Sequence, residues 1–411
     1  MKKKKDILFL CQYFYPEYIS SAKLPYDTAI ALSRAGFLVG AMCGYPKEYN
    51  NFGRVPLKEI HEGIEIKRVK YIQFKRSNFF GRLINYISFT FSVLFKFKYI
   101  LNYRAVIVYS NPPILPFIAT LARRFFGIKT IFVSYDVYPE IAIITNSLSE
   151  RSIITKLMKL VNYKVFKYAN KVIALSSEMK NFLLNHRQFL KENQIEVIPN
   201  WYEDNGNTGN LNSYENKLFN DIKPKDNFIV SYFGNMGICQ DMDTILGAIK
   251  ELKNDNKIKF LFAGHGNKMA MLKAKVKEEK LNNVFIFDFL HGQDFNDALN
   301  ISDCCLVSLA HGLKGLAVPS KTYSYMMAGK PIIAIMDRDS DISKDLLENE
   351  AGYVVDVGQV GELVNAIKEL KSNIPKKEQM GKNCRKVFLE KYTKEKCTKQ
   401  YVDLIKKVLE E

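Results

Sequence analysis

A Pro-Ser-Lys sequence at 319–321 carries the most informative chemistry of this chain. It lies in LAVPSKTYSYMMAGKPII, residues 316–333, where helical spacing begins after the serine and a Gly-Lys-Pro sequence ends the helix before an apolar strand. A helix that begins at Ser320 presents unpaired backbone N–H groups and the positive end of its dipole, and Lys321 adds a full positive charge beside them. Together these groups predict a phosphate site.

Two glycine turns in the second half of the chain also predict phosphate binding. The segment FIVSYFGNMGICQ places Gly234 and Gly237 between a strand and a helix, and FLFAGHGNKMAML places Gly264 and Gly266 after the next strand. Glycine lets the backbone approach a phosphate closely and leaves N–H groups to bind it. One such turn is common in α/β proteins. Two in succession, facing the same side as the Pro-Ser-Lys segment, favour a shared anion site.

Carboxylates supply the remaining candidate chemistry. Asp136, in SYDVYPEIAI, follows a predicted strand. At the mouth of a cleft it would orient a hydroxyl, accept its proton or stabilise positive charge on a sugar ring, and otherwise it caps the next turn. Asp241 and Asp243 are spaced like a metal-binding pair, but an oxygen-ligand site needs more carboxylates. Their position at a helix N-terminus is the favoured explanation.

Two loops that follow strands of the first half are candidates for contact with a second substrate. Residues 13–17 form an aromatic, kinked segment ahead of Ser20 and Ser21, and a Ser-Asn-Pro-Pro turn covers 110–113. Such loops either grip a substrate or pack against the core, and both interpretations stay open. The chain has no P-loop, zinc motif, kinase signature or Gly-x-Ser-x-Gly elbow, and its five histidines form no motif.

Short apolar runs alternate with helical segments along the chain, which predicts α/β domains with parallel sheets covered on both faces. The strands expected in the first half are Ile7–Cys11, Leu38–Cys43, Ile64–Val69, Ala105–Tyr109, Thr130–Val133, Lys171–Leu175 and Glu196–Ile198. Those expected in the second half are Phe228–Phe233, Lys259–Ala263, Val284–Phe287, Cys304–Leu309, Pro331–Ile335 and Gly352–Val355.

The domain boundary is predicted from a change in composition. Between Asn200 and Asp226 the sequence is rich in Asn, Gly, Asp and Lys and has no apolar period, which indicates a linker. We expect two doubly wound Rossmann-like domains that face each other across a cleft at the carboxyl ends of their sheets. The predicted domains are 1–205 and 227–390, joined by a linker over 206–226. A final helix over 391–411 is expected to pack back toward the first domain.

The formal net charge of +17 is concentrated in residues 1–105, which hold 18 Lys and Arg against 7 Asp and Glu. This surplus predicts an anionic partner. Nucleic acid is not expected, because the chain has no zinc-ligand pattern, reader motif or regular basic helix. The basic residues flank an aromatic stretch, Phe79 to Ile100, whose longest uncharged run is too short to span a bilayer. That stretch is either an ordinary buried helix or an interfacial helix on an anionic membrane.

Cysteine usage and the N-terminus bear on the cellular compartment. The seven cysteines show no metal-ligand or redox spacing, and their odd number argues against a disulfide framework. The opening MKKKKD is followed by a predicted strand rather than by a signal-peptide core. We therefore expect a cytoplasmic protein that is peripheral on the inner face of the cell membrane.

Taken together, these segments resemble a family 4 glycosyltransferase of the GT-B fold, in the WcaI/WbuB-like branch of colanic-acid, O-antigen and capsule enzymes. The resemblance covers nearly the whole chain. It rests on the opening segment 8–46 and on the SNPP, DVYPE, IPNW, GNMG, FAGHG and VPSKTYSYMMAGKP segments. It implies transfer of a sugar from a nucleotide diphosphosugar, more often UDP than GDP, to a polyprenyl-diphosphate-linked glycan or polysaccharide. It also implies retention at the anomeric carbon and no metal cofactor.

The resemblance also assigns roles to residues of this chain. The catalytic residues would be Asp136, beneath the reacting sugar, and Lys321, beside the pyrophosphate. The donor-binding residues would be Gly234, Asn235, Gly237, Gln240, Gly264, His265, Gly266, Phe289, Leu290, Pro319, Ser320, Lys321, Thr322 and Ser324. The acceptor-binding residues would be Tyr15, Pro16, Glu17, Ser20, Ser21, Asn111 and Glu140.

The chain departs from the family pattern at the donor site. Ser324 stands where many members carry a Glu that grips the ribose, and Gln240 stands where a Lys commonly neutralises the pyrophosphate. Neutralisation would then depend on Lys321, with help from Lys314. Residues 19–21, Ile-Ser-Ser, replace the usual glycine pair. Two alternatives remain open: a non-catalytic partner subunit whose donor site has decayed, and a sugar-nucleotide epimerase of the same fold.

Overall fold

The computed structural model describes residues 4–47, 53–74, 79–206, 216–222 and 226–411, without the side chain of Phe79. It divides the chain into two α/β units. The first unit comprises Met1–Asn200, Gly315–Val318 and Lys394–Glu411, and the second comprises Trp201–Lys314 and Pro319–Thr393. Much of the predicted linker, 207–215 and 223–225, lies outside the described residues.

The first unit is built on an eight-stranded sheet. Its strands are β1 (Lys5–Leu10), β2 (Val39–Gly44), β3 (Lys58–His61), β4 (Ile64–Val69), β5 (Tyr103–Tyr109), β6 (Lys129–Ser134), β7 (Lys171–Ala174) and β8 (Ile195–Val197). Their order is β3-β4-β2-β1-β5-β6-β7-β8, and every pair is parallel except β3 with β4. The central strands are apolar on both faces, as strands covered by helices on both sides must be.

Helices connect these strands across both faces of the sheet. They are α1 (Ser20–Arg34), α2 (Phe79–Leu94), α3 (Phe97–Ile100), α4 (Pro116–Phe126), α5 (Glu140–Ile144), α6 (Ile153–Tyr168) and α7 (Ser177–His186). The β1-to-β2 connection runs one way along the sheet, and the connections from β4 through β7 run the other way. Because parallel crossovers are right-handed, α1 lies on one face and α2, α4 and α6 lie on the opposite face.

The second unit is built on a six-stranded parallel sheet. Its strands are β9 (Phe228–Asn235), β10 (Ile258–His265), β11 (Val284–Phe287), β12 (Cys304–Ser308), β13 (Ile332–Ile335) and β14 (Gly352–Val355). Its helices are α8 (Asp243–Glu251), α9 (Asn267–Glu278), α10 (Gly292–Ile301), α11 (Lys321–Met327), α12 (Asp341–Glu348), α13 (Val360–Ser372) and α14 (Ile374–Val387). The strand order β11-β10-β9-β12-β13-β14 is that of a doubly wound nucleotide-binding sheet.

The last helix, α15 (Lys394–Glu410), belongs to the first unit, where it packs on α1. Its apolar face is buried, and its final carbonyls accept hydrogen bonds from basic residues at the start of two strands. Arg104 Nη2 donates to Leu409 O at 2.8 Å, and Lys129 Nζ donates to Val408 O at 2.5 Å. Cations at the negative end of a helix satisfy carbonyls that have no partner within the helix.

Every strand predicted from the sequence is present, with ends that agree to within two residues. The two sheets, parallel except for β3, confirm the predicted α/β fold class. The strand that prediction missed is β3, a short polar strand at the edge of the first sheet. Among the helices of the described residues, none is long and apolar enough to cross a membrane.

Candidate functional site

The donor residues predicted from the sequence lie after the carboxyl ends of β9, β10 and β11 and at the start of α11 in the second unit. The strand order reverses between β9 and β12, and a doubly wound sheet binds ligands at such a reversal. Gly234 and Asn235 end β9, and they pair in register with Gly264 and His265 at the end of β10. The two glycine turns are therefore neighbours, as the sequence predicted.

Close backbone contact explains why both turns need glycine. Gly264 has a φ of +151°, and a Cβ there would lie 1.9 Å from the carbonyl oxygen of Gly234. Gly266 has a φ of +128°, and its Cβ would lie 2.4 Å from Met236 O. Real Cβ atoms do not approach backbone oxygens this closely, so side chains are excluded at both positions. The two turns pack directly against each other.

Two backbone N–H groups of the first turn are engaged within the protein. Met236 N–H donates to His265 O at 2.6 Å, and Gly237 N–H donates to the Gln240 side-chain oxygen at 2.7 Å. The sequence predicted that the Gly237 turn would offer free N–H groups to a phosphate, and for Gly237 this prediction is wrong. Gln240 caps that N–H, which is the physical reason.

Lys268 is a cation at this turn that the sequence analysis missed. Lys268 Nζ donates to Gln240 O at 2.7 Å, and the side chain is half-buried. The residue lies in the first turn of α9, where a positive charge opposes the helix dipole. The sequence did contain a signal for this residue. A lysine at such an unfavourable position indicates that its side chain binds an anion or a carbonyl.

Lys321 occupies the centre of the candidate site. Its Nζ donates to the Tyr232 hydroxyl at 2.5 Å and to Asn235 O at 3.1 Å, and it lies 3.8 Å from the centroid of the Tyr232 ring. It forms no ion pair with any carboxylate that the structure describes. Burial disfavours the ammonium form and lowers the pKa of Lys321 to about 7. A half-buried amine at a glycine turn, lacking a counter-charge, is suited to an anionic ligand.

The Pro-Ser-Lys segment forms the start of α11, as predicted, but the helix has only seven residues. Ser320 is exposed at the N-cap, and its side chain makes no capping hydrogen bond. Thr322 and Ser324 are buried, and their hydroxyls donate to Pro319 O and Lys321 O at 2.9 and 2.8 Å. Both hydroxyls are thus bonded to the backbone of their own segment. Because the helix is short, the charge of the lysine outweighs the dipole at this end.

An exposed aromatic group stands at the ends of β10 and β11. Phe289 is 40% exposed and stacks with His265, with ring centroids 5.5 Å apart and planes 27° apart. The His291 ring lies 4.7 Å from Phe289 on the same strand end, and Leu290 between them is half-buried. Exposed rings next to a glycine turn can stack on a nucleobase. The position of the base at this strand end stays a prediction.

The carboxylate pair in the loop before α8 serves as a helix cap. Asp241 Oδ1 accepts from the N–H groups of Asp243 and Thr244 at 3.2 and 3.3 Å, which satisfies the first turn of the helix. This confirms the capping interpretation for Asp241. Lys314, proposed as a second phosphate cation, is paired with Asp339 at 2.5 Å. No group of three potential metal ligands occurs in the part of the chain that the structure describes.

In the first unit, Asp136 lies just after β6 and is half-buried. Ser110 Oγ, after the neighbouring β5, accepts from the N–H groups of Tyr135 and Asp136 at 3.0 and 3.2 Å, and this fixes the turn. No described residue pairs with the Asp136 carboxylate, and burial raises its pKa to about 6. A carboxylate with this pKa can exchange a proton near neutral pH. The sequence analysis included Ser110 in the Ser-Asn-Pro-Pro turn but did not predict that it holds the Asp136 turn.

Glu140 and Asn111, two predicted acceptor residues, each hold a polar atom that no described group satisfies. Arg187 Nη2 pairs with Glu140 Oε1 at 2.5 Å, while Glu140 Oε2 is buried without a partner, as is Asn111 Oδ1. The side chain of Gln12, after β1, is fully enclosed, and both of its polar atoms lack partners. Such atoms are rare in proteins and commonly meet water or ligand. Gln12 was not predicted.

The remaining acceptor candidates serve partly as packing. The Tyr15 ring stacks on His61 at 3.9 Å and on Tyr26 at 5.1 Å. Pro16 and Glu17 are buried. The two predicted serines lie in the first turn of α1, where Ser20 is exposed and Ser21 is half-buried. All predicted acceptor residues lie in the first unit and all predicted donor residues in the second.

Two family models match the chain. The model described as Glycosyltransferase Family 4 matches residues 26–205, and the model described as Glycosyl transferases group 1 matches residues 213–387. Each half of the chain is thus similar to a glycosyltransferase domain. These matches support the predicted enzyme class.

Individual proteins agree with this assignment. The chain is 28% identical over 244 residues to a probable glycosyltransferase, WbjE, of Pseudomonas aeruginosa, a match that covers 59% of this chain and 60% of WbjE. The chain spans about 60% of the length of the curated relatives it matches.

Solved structures show the same fold. Sucrose-phosphate synthase from Thermosynechococcus elongatus matches with a TM-score of 0.76 at 15% identity, over 98% of this chain and 99% of that one. HepE of Anabaena, solved in complex with UDP and glucose, matches with a TM-score of 0.73 at 15% identity, over 98% of this chain and 99% of HepE. The GT-B fold predicted from the sequence is therefore confirmed.

Proposed function

We propose that this chain is a retaining glycosyltransferase. It moves a sugar from a nucleotide diphosphosugar, with a UDP-sugar favoured, to a lipid-linked or growing surface-polysaccharide acceptor of the O-antigen or capsule type. The observation that carries the proposal is Lys321. It is a half-buried amine with no carboxylate partner among the described residues, at the ends of the central strands of the unit that the glycosyltransferase model matches.

The donor diphosphate supplies the missing negative charge. Lys321 is held by Tyr232 and Asn235 O at the first glycine turn, and Lys268 contacts the other end of that turn through Gln240 O. Two amines along one short loop suit the two phosphates of a nucleoside diphosphate better than a single phosphate. The exposed Phe289 ring stacks on the nucleobase of the donor. The complex of HepE with UDP and glucose supports UDP as the nucleotide.

In the reaction, the bond between the anomeric carbon and the diphosphate oxygen breaks, and the acceptor hydroxyl forms the new bond on the same face. The acceptor proton passes to the departing phosphate. Lys321 stabilises the charge that builds on that phosphate, because a partly buried amine acts through a lower dielectric than water. Asp136 orients a sugar hydroxyl. We propose that no metal takes part, since the lysines supply the positive charge.

The acceptor is held at a membrane. The positive charge concentrated in residues 1–105 attracts an anionic surface, where a lipid-linked acceptor is found. We propose that the protein is peripheral on the cytoplasmic face. Vesicle flotation at low and high salt tests this proposal, and the protein is expected to float with anionic vesicles at low salt. Absence from the vesicle fraction under both conditions would exclude it.

A donor panel tests the activity itself. Thermal shift with UDP, GDP and their sugars identifies the nucleotide, because a ligand that binds the folded state raises its apparent stability. We expect UDP to give the largest shift and the Lys321→Ala variant to lose it. Transfer of labelled sugar to lipid extract follows for the donors that bind. If no nucleoside diphosphate shifts the wild-type protein, the proposal is wrong.

A second candidate, a partner subunit whose donor site has decayed, is favoured by one observation. The two side chains that replace family ligands are turned inward: Gln240 caps Gly237 N–H, and the Ser324 hydroxyl bonds to Lys321 O. Neither side chain is positioned to hold a ribose or a phosphate. Calorimetry with UDP and GDP separates the two candidates, because a decayed site would release no heat with either nucleotide.

A further inference from the structure

The outward face of α2 is apolar. The side chains of Ile84, Ile87, Phe91 and Leu94 follow one another at helical spacing, and all four are exposed. The opposite face of the same helix holds the buried Phe89. An ordinary surface helix has the reverse pattern, with charged residues toward water. The sequence left open whether this stretch is a buried or an interfacial helix, and the exposed apolar face favours the second.

A second helix, not expected from the sequence, shows the same reversal. On α6, Ile153, Leu157 and Leu160 are 84%, 56% and 52% exposed, while Thr155 and Phe166 on its other face are buried. The exposed residues lie at spacings of four and three, so they form one strip along the helix. Large exposed apolar areas on a folded protein mark interaction surfaces.

The two strips belong to one face of the first unit. The crossover argument places α2, α4 and α6 on the same side of the sheet, and side-chain contacts join α3 to α4 and α4 to α6. The Phe97 and Phe126 rings lie 5.6 Å apart and link α3, directly after α2, to the end of α4. Arg124 on α4 bonds to the Tyr168 hydroxyl at the end of α6 at 3.2 Å.

The charges on this face identify the partner. The helices α2, α4 and α6 contain no Asp or Glu and together carry seven Lys and Arg. Four of these, Lys156, Lys159, Lys164 and Lys167, are on α6 itself. One of them, Lys159, is paired with Glu150, just before the helix, at 3.2 Å. Apolar side chains flanked mainly by cations fit the headgroup layer of an anionic bilayer, where the apolar side chains enter the acyl region and the cations meet phosphates.

We infer that α2 and α6 form a two-helix footprint that inserts its apolar strips into an anionic membrane. The inference rests on the membrane docking proposed above and assigns the surface responsible for it. Two parallel strips fix the orientation of the first unit on the bilayer, whereas a single helix would leave the unit able to roll about that helix axis.

Tryptophan quenching tests each strip separately in the full-length chain. The one native tryptophan, Trp201, is only 5% exposed and gives a constant background. The variants Phe91→Trp and Leu157→Trp report on α2 and α6, and Leu347→Trp, at a comparably exposed apolar position in the second unit, is the control. Vesicles contain brominated phosphatidylcholine, with or without phosphatidylglycerol.

We expect bromine quenching of Phe91→Trp and Leu157→Trp on vesicles with phosphatidylglycerol, and none for Leu347→Trp. Quenching of Phe91→Trp alone would overturn the two-helix footprint, and quenching of neither would overturn insertion. Leu157→Asp should weaken vesicle binding at least tenfold, while Leu347→Asp leaves it unchanged.

Sedimentation separates the membrane from a second copy of the chain as the partner. A concentration-dependent dimer that Leu157→Asp abolishes, together with no vesicle binding, would assign the strips to self-association and refute the inference. UDP binding is measured for every variant. Loss of vesicle binding with UDP binding intact concerns only the footprint, whereas a wild-type protein that binds no nucleotide contradicts the proposed function.

Discussion

Donor affinity should fall as pH rises above 7, because Lys321 loses its proton in the free protein. Burial lowers the pKa of Lys321 to about 7, and no carboxylate among the described residues compensates. A bound diphosphate restores a counter-charge and raises that pKa again. The free protein therefore has the lower pKa, so the contribution of the charge to binding is complete below pH 7 and declines above it.

The size of the effect follows from the pKa. Between pH 6 and pH 8 the protonated fraction of a group with a pKa near 7 falls from about nine-tenths to about one-tenth. Affinity for the diphosphate should therefore weaken nearly tenfold, or about 1.3 kcal/mol. A surface lysine with the ordinary pKa of about 10.4 would give no change over this range.

The assay is calorimetric titration with a UDP-sugar from pH 6 to pH 9, because its diphosphate diester keeps the same charge throughout. Lys321→Arg should bind with no pH slope, since a guanidinium stays protonated. At pH 6, Lys321→Ala should bind at least tenfold more weakly than the wild-type protein, and its affinity should not change with pH. If Lys321→Ala keeps the pH slope of the wild-type protein, another group titrates and the reasoning about this amine fails.

Three further outcomes are expected. Gly264→Ala should lower the free energy of unfolding of the second unit by about 3 kcal/mol in urea titration, because the added Cβ would meet a backbone oxygen. The control Gly361→Ala should not destabilise that unit, because no atom lies within 4 Å of the added Cβ. Lys268→Ala should weaken UDP binding about fivefold, or about 1 kcal/mol. The control Lys275→Ala, farther along the same helix, should leave UDP binding unchanged. Equal effects of the two substitutions would exclude a local role for Lys268. Asp136→Asn should reduce transfer at least tenfold with UDP binding unchanged, and unchanged transfer would remove its assigned role.

The fold could be predicted from the sequence because its signals are local. Apolar runs of four to eight residues mark the buried strands, and glycine and proline mark the turns between them. The strand that was missed, β3, has no such run: Lys58–His61 is polar at an edge and depends on pairing with β4. The placement of Gly315–Val318 in the first unit was equally unpredictable, because it depends on contacts such as that of Val137 N–H with Leu316 O at 2.9 Å.

The candidate site was predicted where a motif includes its own geometry. Gly264 and Lys321 are examples, since a strand, a turn and a helix start are all visible in sequence. What the sequence could not show is which polar groups are already bonded. The capping of Gly237 N–H by Gln240 and the support of the Asp136 turn by Ser110 both depend on side-chain orientation.

These internal bonds change how the donor site must hold its ligand. A loop that offers backbone N–H groups binds phosphate through preorganised dipoles, which do not titrate. In this chain Gln240 occupies one of those groups, and the cations near the loop are Lys321 and Lys268, bonded to carbonyls of that same loop. A lysine charge is stronger than a single amide dipole, but it is present only when the amine is protonated. We therefore predict that the exchange of amide donors for amines makes phosphate binding at the proposed donor site sensitive to pH, and that a chain with a free Gly237 N–H is less sensitive.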